Sequence, residues 1–306
     1  MAIVKTDVPM TSELCFSAIR QLAQRYPSLK TENLVWSPFG RPIPVVTIGE
    51  GRRKVLFSAA HHANEWITAT VLLKFLEELA AAGETGGTLA EMPIRRLLQQ
   101  TAITAVPMVN PDGVDLVTGA ITPGSAQYER AEALALNYPG IPFPEGWKAN
   151  LNGVDLNLQY PAGWLQARNL KFRRGYRQPG PRDYVGAAPL NQRESFHLAR
   201  LTEQLAPDLV LALHTQGQVI YWQFENVQVP GARELGEKMA RVSGYALADT
   251  PYASSFAGYK DWFIKAFRRP GYTMELGQGE NPLPISQFAE IYQNVLPALL
   301  TAAAGI

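Results

Sequence analysis

Residues 55–82 read VLFSAAHHANEWITATVLLKFLEELAAA, and this segment indicates the class of fold. Val55–Ala59 is a short run of large or β-branched apolar residues, which predicts a buried strand. From Ile67 to Ala82 the apolar residues recur at spacings of three and four, which predicts a helix that ends in the glycine cluster of residues 83–87. A second apolar run, Ala102–Val109, follows, so the chain begins a strand–helix–strand pattern.

The same alternation continues on both sides of this segment. Further strands are predicted at 44–48, 208–214, 219–224 and 272–276, with helices around 14–26, 91–100, 191–206, 231–243 and 286–303, and a turn at 110–113. Strands that alternate with helices form sheets covered on both faces. The predicted fold is therefore an α/β/α sandwich.

Composition excludes several classes of protein. The 306 residues are 46% apolar, enough to bury a large core, and 28 Lys and Arg against 27 Asp and Glu give a net charge of +1. A near-neutral chain offers no case for a nucleic-acid partner or an anionic membrane surface. The only cysteine, Cys15, excludes an intramolecular disulfide and a thiolate metal cluster, so a metal must be held by His and carboxylates.

Neither end of the sequence resembles a membrane or export signal. The N-terminus lacks a basic region followed by an apolar stretch, and the apolar segment 295–306 is too short to span a bilayer. We therefore expect a cytoplasmic protein without a membrane partner.

The segment 119–192 is rich in Gly, Pro, Asn, Tyr and Arg and shows little periodicity. A linker between two domains would have this composition, but flexible linkers usually lack large aromatic residues such as Trp147, Trp164, Phe172 and Tyr184. We interpret the segment as long ordered loops that frame a site.

Three residues have the types and positions of zinc ligands. His62 and Glu65 lie three residues apart after the strand that ends at Ala59, and His214 lies at the end of a strongly apolar strand, where open α/β sheets place their ligands. The alternatives are that the His-x-x-Glu spacing arises by chance and that His214 is a hydrogen-bonded core residue.

Glu275 lies in the otherwise apolar run 272–276. A carboxylate in a buried strand is costly unless it is paired or functional. It is a candidate general base, because partial burial would move its pKa toward neutrality. The alternative is an ion pair with Arg268 or Arg269.

Short motifs in order along most of the chain resemble the zinc carboxypeptidase (funnelin, M14) family. These are Gly40-Arg41-Pro42-Ile43, the segment 62–67, Asn110-Pro111-Asp112-Gly113, the segment 153–157, His214, Glu275-Leu276 and Leu283-Pro284. The resemblance implies one Zn²⁺ on His62, Glu65 and His214, and Glu275 as the base. It also implies Asp155 as the carboxylate that orients a ligand histidine, although Asp155 could simply be a turn residue.

The resemblance further implies one zinc-peptidase domain over residues 1–306, with a mixed, mostly parallel twisted sheet. The site residues from His62 to Glu275 are spread along the chain, so the whole chain must fold as one unit to bring them together.

Two positions depart from the family. Leu158 occupies the position of the Arg that, with the residue equivalent to Asn157, grips the substrate's C-terminal carboxylate, and Leu cannot replace its charge or donors. Lys148 occupies the position of an oxyanion-stabilising Arg, and it supplies a charge without a planar pair of donors. The alternative for Lys148 is a solvated loop lysine.

The segment Gly258–Trp262 matches the part of the family that sets specificity. Lys260 lies at or next to the pocket-lining position, where a cation favours a substrate carboxylate; the alternative is the polar face of a helix. Ala253 occupies the position of the tyrosine that often caps the site, and either Tyr252 or Tyr259 could substitute.

The segments 157–164 and 275–284 look most like the bacterial branch of γ-D-glutamyl-diamino acid endopeptidases. The resemblance implies hydrolysis of that bond in peptidoglycan stem peptides by an activated water. The alternatives are a metallocarboxypeptidase or amide hydrolase for an acidic or unusual C-terminal residue, and a non-catalytic module that binds peptidoglycan fragments. The branch often carries wall-binding LysM repeats, and we expect none in this chain.

Overall fold

The central sheet is formed by short apolar segments in the computed structural model, which describes residues 2–305. The strands of these residues are β1 (Lys30–Trp36), β2 (Pro42–Ile48), β3 (Arg53–Ala59), β4 (Thr88–Leu89), β5 (Met92–Pro93), β6 (Thr101–Val106), β7 (Leu209–Thr215), β8 (Val219–Tyr221), β9 (Ala246–Ala248) and β10 (Gly271–Leu276). Eight of them form one sheet in the order β1-β2-β6-β3-β7-β10-β8-β9, and β4 pairs with β5 separately. The inner strands β6, β3, β7 and β10 are parallel, whereas β1–β2, β2–β6 and β10–β8 are antiparallel pairs.

Helices cover both faces of this sheet. They are α1 (Ser12–Arg25), α2 (Ile67–Thr85), α3 (Ile94–Gln100), α4 (Pro111–Val117), α5 (Ala126–Ala135), α6 (Trp164–Arg173), α7 (Arg193–Leu205), α8 (Ala232–Ser243), α9 (Tyr259–Phe267) and α10 (Phe288–Ala304). Alternation along β3 separates two cores: Val55 and Phe57 pack with α2 and α10, and Leu56 packs on the other face with α7 and α9. The predicted sandwich with a mixed, mostly parallel sheet is confirmed.

Several predicted boundaries differ from the structure. Residues 110–113 begin α4 and do not form an isolated turn, because Asn110 accepts a hydrogen bond from the amide of Gly113 and Pro111 occupies the first helical turn. The segment 119–192 contains the helices α5 and α6 between its loops. Within residues 2–305, no helix combines the length and apolar character needed to cross a membrane.

The parallel strands end at the same edge of the sheet, and this edge carries the candidate site. His62 follows β3, His214 is the penultimate residue of β7, and Glu275 lies near the end of β10. The register pairs Glu275 with His214 across the two neighbouring strands. Open α/β sheets place ligands at this edge.

Candidate metal centre and active site

The side chains of His62, Glu65 and His214 converge on one point. A short 3₁₀ turn over Ala63–Glu65 returns the carboxylate toward His62, whose Nδ1 lies 2.8 Å from Glu65 Oε1. His214 Nδ1 lies 2.8 Å from Glu65 Oε2 and 3.2 Å from His62 Nδ1. Zinc–ligand bonds of about 2.0–2.1 Å place neighbouring tetrahedral ligands about 3.3 Å apart. The three groups thus fit one zinc ion, and two ring nitrogens facing each other beside a carboxylate are a metal-binding donor set.

Asp155 lies behind His62. Its Oδ1 is 3.2 Å from His62 Nε2 and accepts a hydrogen bond from the amide of Asn157, while Oδ2 accepts one from the amide of Asp183. Burial opposes ionisation of Asp155, but His62 and Lys148 lower its pKa below the usual range. An ionised Asp155 favours a proton on Nε2 of His62 and leaves Nδ1 free for a metal.

Lys148 brings a positive charge to the same centre. Its ammonium nitrogen lies 3.1 Å from Glu65 Oε1. Burial lowers the pKa of Lys148, Glu65 raises it and Arg182 lowers it again, with a net upward shift. Burial likewise raises the pKa of Glu65, but His62, Lys148 and His214 hold it well below its ordinary value. The centre therefore contains an ionised Glu65 and a protonated Lys148.

Glu275 faces the centre from β10. Burial raises the pKa of its carboxyl, His214 lowers it and Glu65 raises it, and the net shift is upward. Within residues 2–305, its side chain forms no ion pair with Arg268 or Arg269; the Arg269 guanidinium instead donates to the carbonyls of Ala206 and Pro207. Among the described residues, no Lys or Arg side chain forms an ion pair with Glu275, which lines the cavity and is suited to accept a proton.

These groups line a cavity of about 870 Å³. Eight of the nine predicted site residues contribute to its wall, namely His62, Glu65, Lys148, Asp155, Asn157, His214, Lys260 and Glu275. Leu158, at the position of the missing arginine, lines it as well.

Tyr259 is the predicted site residue that the structure does not bring to the cavity. Its side chain is fully buried, its hydroxyl lies 2.8 Å from Thr202 Oγ1, and its ring packs against Tyr160. Only its backbone reaches toward the site, because its amide donates to Asn157 Oδ1 at 3.0 Å. The ring of Tyr259, one of the two candidates to cap the site, therefore lies away from the cavity. Tyr252, the other candidate, is 71% exposed and packs against Phe256 outside the cavity wall.

Lys260 lies in the cavity wall but is engaged by protein groups. Its ammonium donates to the carbonyl of Gln223 at 2.6 Å and to Thr250 Oγ1 at 3.2 Å, and it lies 2.6 Å from Asp261 Oδ1. The predicted positive charge of Lys260 is therefore present, but it forms a buried ion pair with Asp261.

Tyr221 and Arg182 are among the wall residues that were not predicted from the sequence. Tyr221 projects from β8, where it pairs in register with Thr273, which also lines the cavity. The strand that contains Tyr221 was predicted from the sequence, but the pairing of that strand with β10 was not. Arg182 comes from the aperiodic segment 119–192, in which no sequence pattern marks one arginine over another.

Comparisons with known proteins agree with this geometry. The sequence model of the family described as "Zinc carboxypeptidase" matches residues 16–298. The "Gamma-D-glutamyl-L-diamino acid endopeptidase 1" of Lysinibacillus sphaericus is 45% identical over 92% of this chain and 69% of its own length. The crystal structure of thrombin activatable fibrinolysis inhibitor matches with a TM-score of 0.76 and 16% identity, covering 99% of this chain and 76% of that one. The murein-tripeptide amidase MpaA of Escherichia coli O157 matches with a TM-score of 0.56 and 21% identity, covering 89% and 91%. The two structural matches show the shared fold.

Proposed function

Because the chain belongs to the zinc carboxypeptidase (M14) family, and is therefore a zinc metallopeptidase, we propose that it hydrolyses the γ-D-glutamyl–diamino acid bond of peptidoglycan stem peptides. The observation that carries the proposal is the 45% identity, over 92% of the chain, to a relative named for this activity. Leu158 in the cavity wall supports it, because this position lacks the arginine that would hold an ordinary C-terminal carboxylate.

The proposed metal ligands are His62 and His214 through Nδ1, and Glu65 through its carboxylate. Asp155 orients His62 by accepting a hydrogen bond from Nε2. When bound, zinc supplies a Lewis acid that polarises the scissile carbonyl and acidifies the attacking water.

Glu275 is the proposed general base. It takes a proton as the water oxygen bonds to the carbonyl carbon, and it returns the proton to the nitrogen as the carbon–nitrogen bond breaks. A carboxyl whose pKa is raised by burial accepts and releases a proton closer to neutral pH than a solvated one does. Lys148 provides the positive charge that stabilises the developing oxyanion.

Asn157 and Lys260 are proposed to contact the substrate from the cavity wall. The amide of Tyr259 fixes Asn157 by donating to its Oδ1, so the side-chain amide nitrogen of Asn157 is directed to a ligand carbonyl or carboxylate. Lys260 and Asp261 both line the cavity and present a positive and a negative group. A diamino acid whose far end carries an amine and a carboxylate complements such a pair.

The proposal treats residues 1–306 as one catalytic domain, with 119–192 framing the cavity. Support comes from the wall itself, which takes residues from the segment after β3, from 119–192, and from β7 and β10. Action in the cytoplasm on imported or recycled muropeptides is part of the proposal, and cell fractionation with a specific antibody would test it.

The test is digestion of two peptides by the zinc-loaded protein, analysed by mass spectrometry. One is L-Ala-γ-D-Glu-diaminopimelate, and the other is a plain peptide with a free C-terminus. We expect release of diaminopimelate from the first and no cleavage of the second, with Glu275→Gln as the inactive control. Cleavage of the plain peptide alone would favour the metallocarboxypeptidase alternative. Binding of the tripeptide without any cleavage would favour the binding module, which the enzyme family makes the weaker alternative.

A further inference from the structure

Four Lys and Arg side chains line the cavity, namely Lys148, Lys171, Arg182 and Lys260. Three of them are engaged by protein groups. Lys148 lies against Glu65, the ammonium of Lys171 is bonded to Asp183, and Lys260 is held by Asp261 and two further oxygens. Arg182 differs from these three.

Arg182 is anchored on one side and free on the other. Its Nε donates to Asp183 Oδ2 at 2.7 Å, and the side chain is 40% exposed. Within the part of the chain that the structure describes, no protein group accepts a hydrogen bond from its terminal nitrogens Nη1 and Nη2. A guanidinium held through Nε presents a planar pair of donors that matches a carboxylate.

The anchor of Arg182 is tied to the metal centre. Asp183 donates its backbone amide to Asp155 Oδ2, and Asp155 lies against His62 through its other oxygen. The charge of Arg182 also lowers the pKa of Lys148, and Asp155 raises the pKa of Arg182. Arg182 therefore lines the same cavity as the proposed metal ligands and is connected to His62 through Asp183 and Asp155.

We propose that Arg182 binds the α-carboxylate of the γ-linked D-glutamyl residue and so determines specificity for an acidic acyl side. This inference rests on the proposed function. A γ-linkage leaves the α-carboxylate free, separated from the attacked carbonyl by the α-carbon and two methylenes. The free carboxylate would therefore lie close to the metal centre. Arg182 offers it the terminal guanidinium nitrogens, which no described protein group accepts a hydrogen bond from.

The experiment measures kcat and KM on two substrates. One is L-Ala-γ-D-Glu-diaminopimelate, and the other is the same tripeptide with the D-glutamyl α-carboxylate converted to an amide. We expect Arg182→Gln to raise KM for the acid substrate about tenfold or more, with kcat little changed, and to leave the amide substrate unaffected. Arg182→Lys restores part of the effect because it keeps the charge without the paired donors. Arg174→Gln, on an exposed neighbour outside the cavity, is the matched control.

Equal changes for both substrates, or no change in KM, would overturn the role of Arg182. If the wild-type protein cleaves neither tripeptide, the proposed function fails. In that case the affinities of the same two peptides, measured by titration calorimetry, still test the role of Arg182. Tighter binding of the acid peptide that is lost in Arg182→Gln supports it. Equal binding of both peptides overturns it.

Discussion

Glu275 and His214 are direct register partners on the parallel strands β10 and β7. The proposed base and a proposed metal ligand are therefore separated by one strand spacing, and the sheet's hydrogen bonds hold that separation fixed. Neither side chain depends on a loop for its position, which suits groups that must act on the same water.

Replacement of Glu275 by Gln removes the proposed base and keeps the shape of the side chain. We expect kcat to fall by about 10²–10⁴-fold with zinc content unchanged, because Glu275 is not among the proposed ligands. Steady-state kinetics and elemental analysis measure the two quantities. Glu280→Gln, an exposed carboxylate of the same cavity, is the control and should retain activity. Turnover near the wild-type rate in Glu275→Gln would assign the base to another group.

Zinc removal should lower thermal stability as well as activity. The proposed ligands lie in the segment after β3 and in β7, so bound zinc would link these two parts of the chain, and a ligand bound only by the folded state stabilises it. At a zinc concentration of about 100 times its Kd, the gain is about 2.7 kcal/mol, which raises Tm by roughly 5 °C. Calorimetry with and without a chelator measures this shift. His214→Ala should abolish it, whereas His197→Ala, on α7 outside the site, should preserve it. A zinc-independent Tm would contradict the proposed ligand set.

Much of the fold could be predicted because its signals are local. The strand–helix–strand unit over β3, α2 and β6 follows from runs of apolar residues and their spacing. The helices α5 and α6 were missed because each buries only two residues, so their sequences carry little helical periodicity.

The candidate site was predicted where one short motif or one strand end carries the residue. The parts of the site that depend on contacts between residues far apart in the chain could not be predicted. The oxygens around Lys260 come from residues 223, 250 and 261, and the register that places Tyr221 in the wall depends on β8 pairing with β10. Tyr259 has the right sequence position, but its hydroxyl is directed into the core by Thr202.

Asp155 should control zinc affinity without binding the metal. Asp155→Asn removes the negative charge that holds His62 with a proton on Nε2, and the amide can present a donor to that nitrogen instead. We expect zinc affinity to fall by about 10–100-fold, measured by competition with a chromogenic chelator. Activity should recover at saturating zinc to a greater extent than in His62→Ala. The matched control is Asp7→Asn at an exposed position. An unchanged zinc affinity would mean that Asp155 is only a turn residue, which is the alternative left open by the sequence.

Glu194 should make the stability of the fold depend on pH. It lies in the first turn of α7 and is buried; Oε1 accepts a hydrogen bond from Asn150 Nδ2 at 3.1 Å, and Oε2 has no hydrogen-bond partner among the described residues. Burial raises its pKa to about 7, from an ordinary value of 4.5. The folded state therefore holds a proton that the unfolded state releases between these two values.

Since the folded state binds more protons there, the free energy of unfolding must fall as pH rises from about 4.5 to 7, by an amount on the order of 3 kcal/mol. Glu194→Gln removes this titration and retains the hydrogen bond from Asn150. Urea unfolding at pH 5 and pH 8 should show that the free energy of unfolding of the variant, relative to that of the wild type, is higher at pH 8 than at pH 5. Glu203→Gln, at an exposed position of the same helix, should follow the wild-type pH profile. Parallel profiles for wild type and Glu194→Gln would show that Glu194 is ionised in the folded state throughout this range.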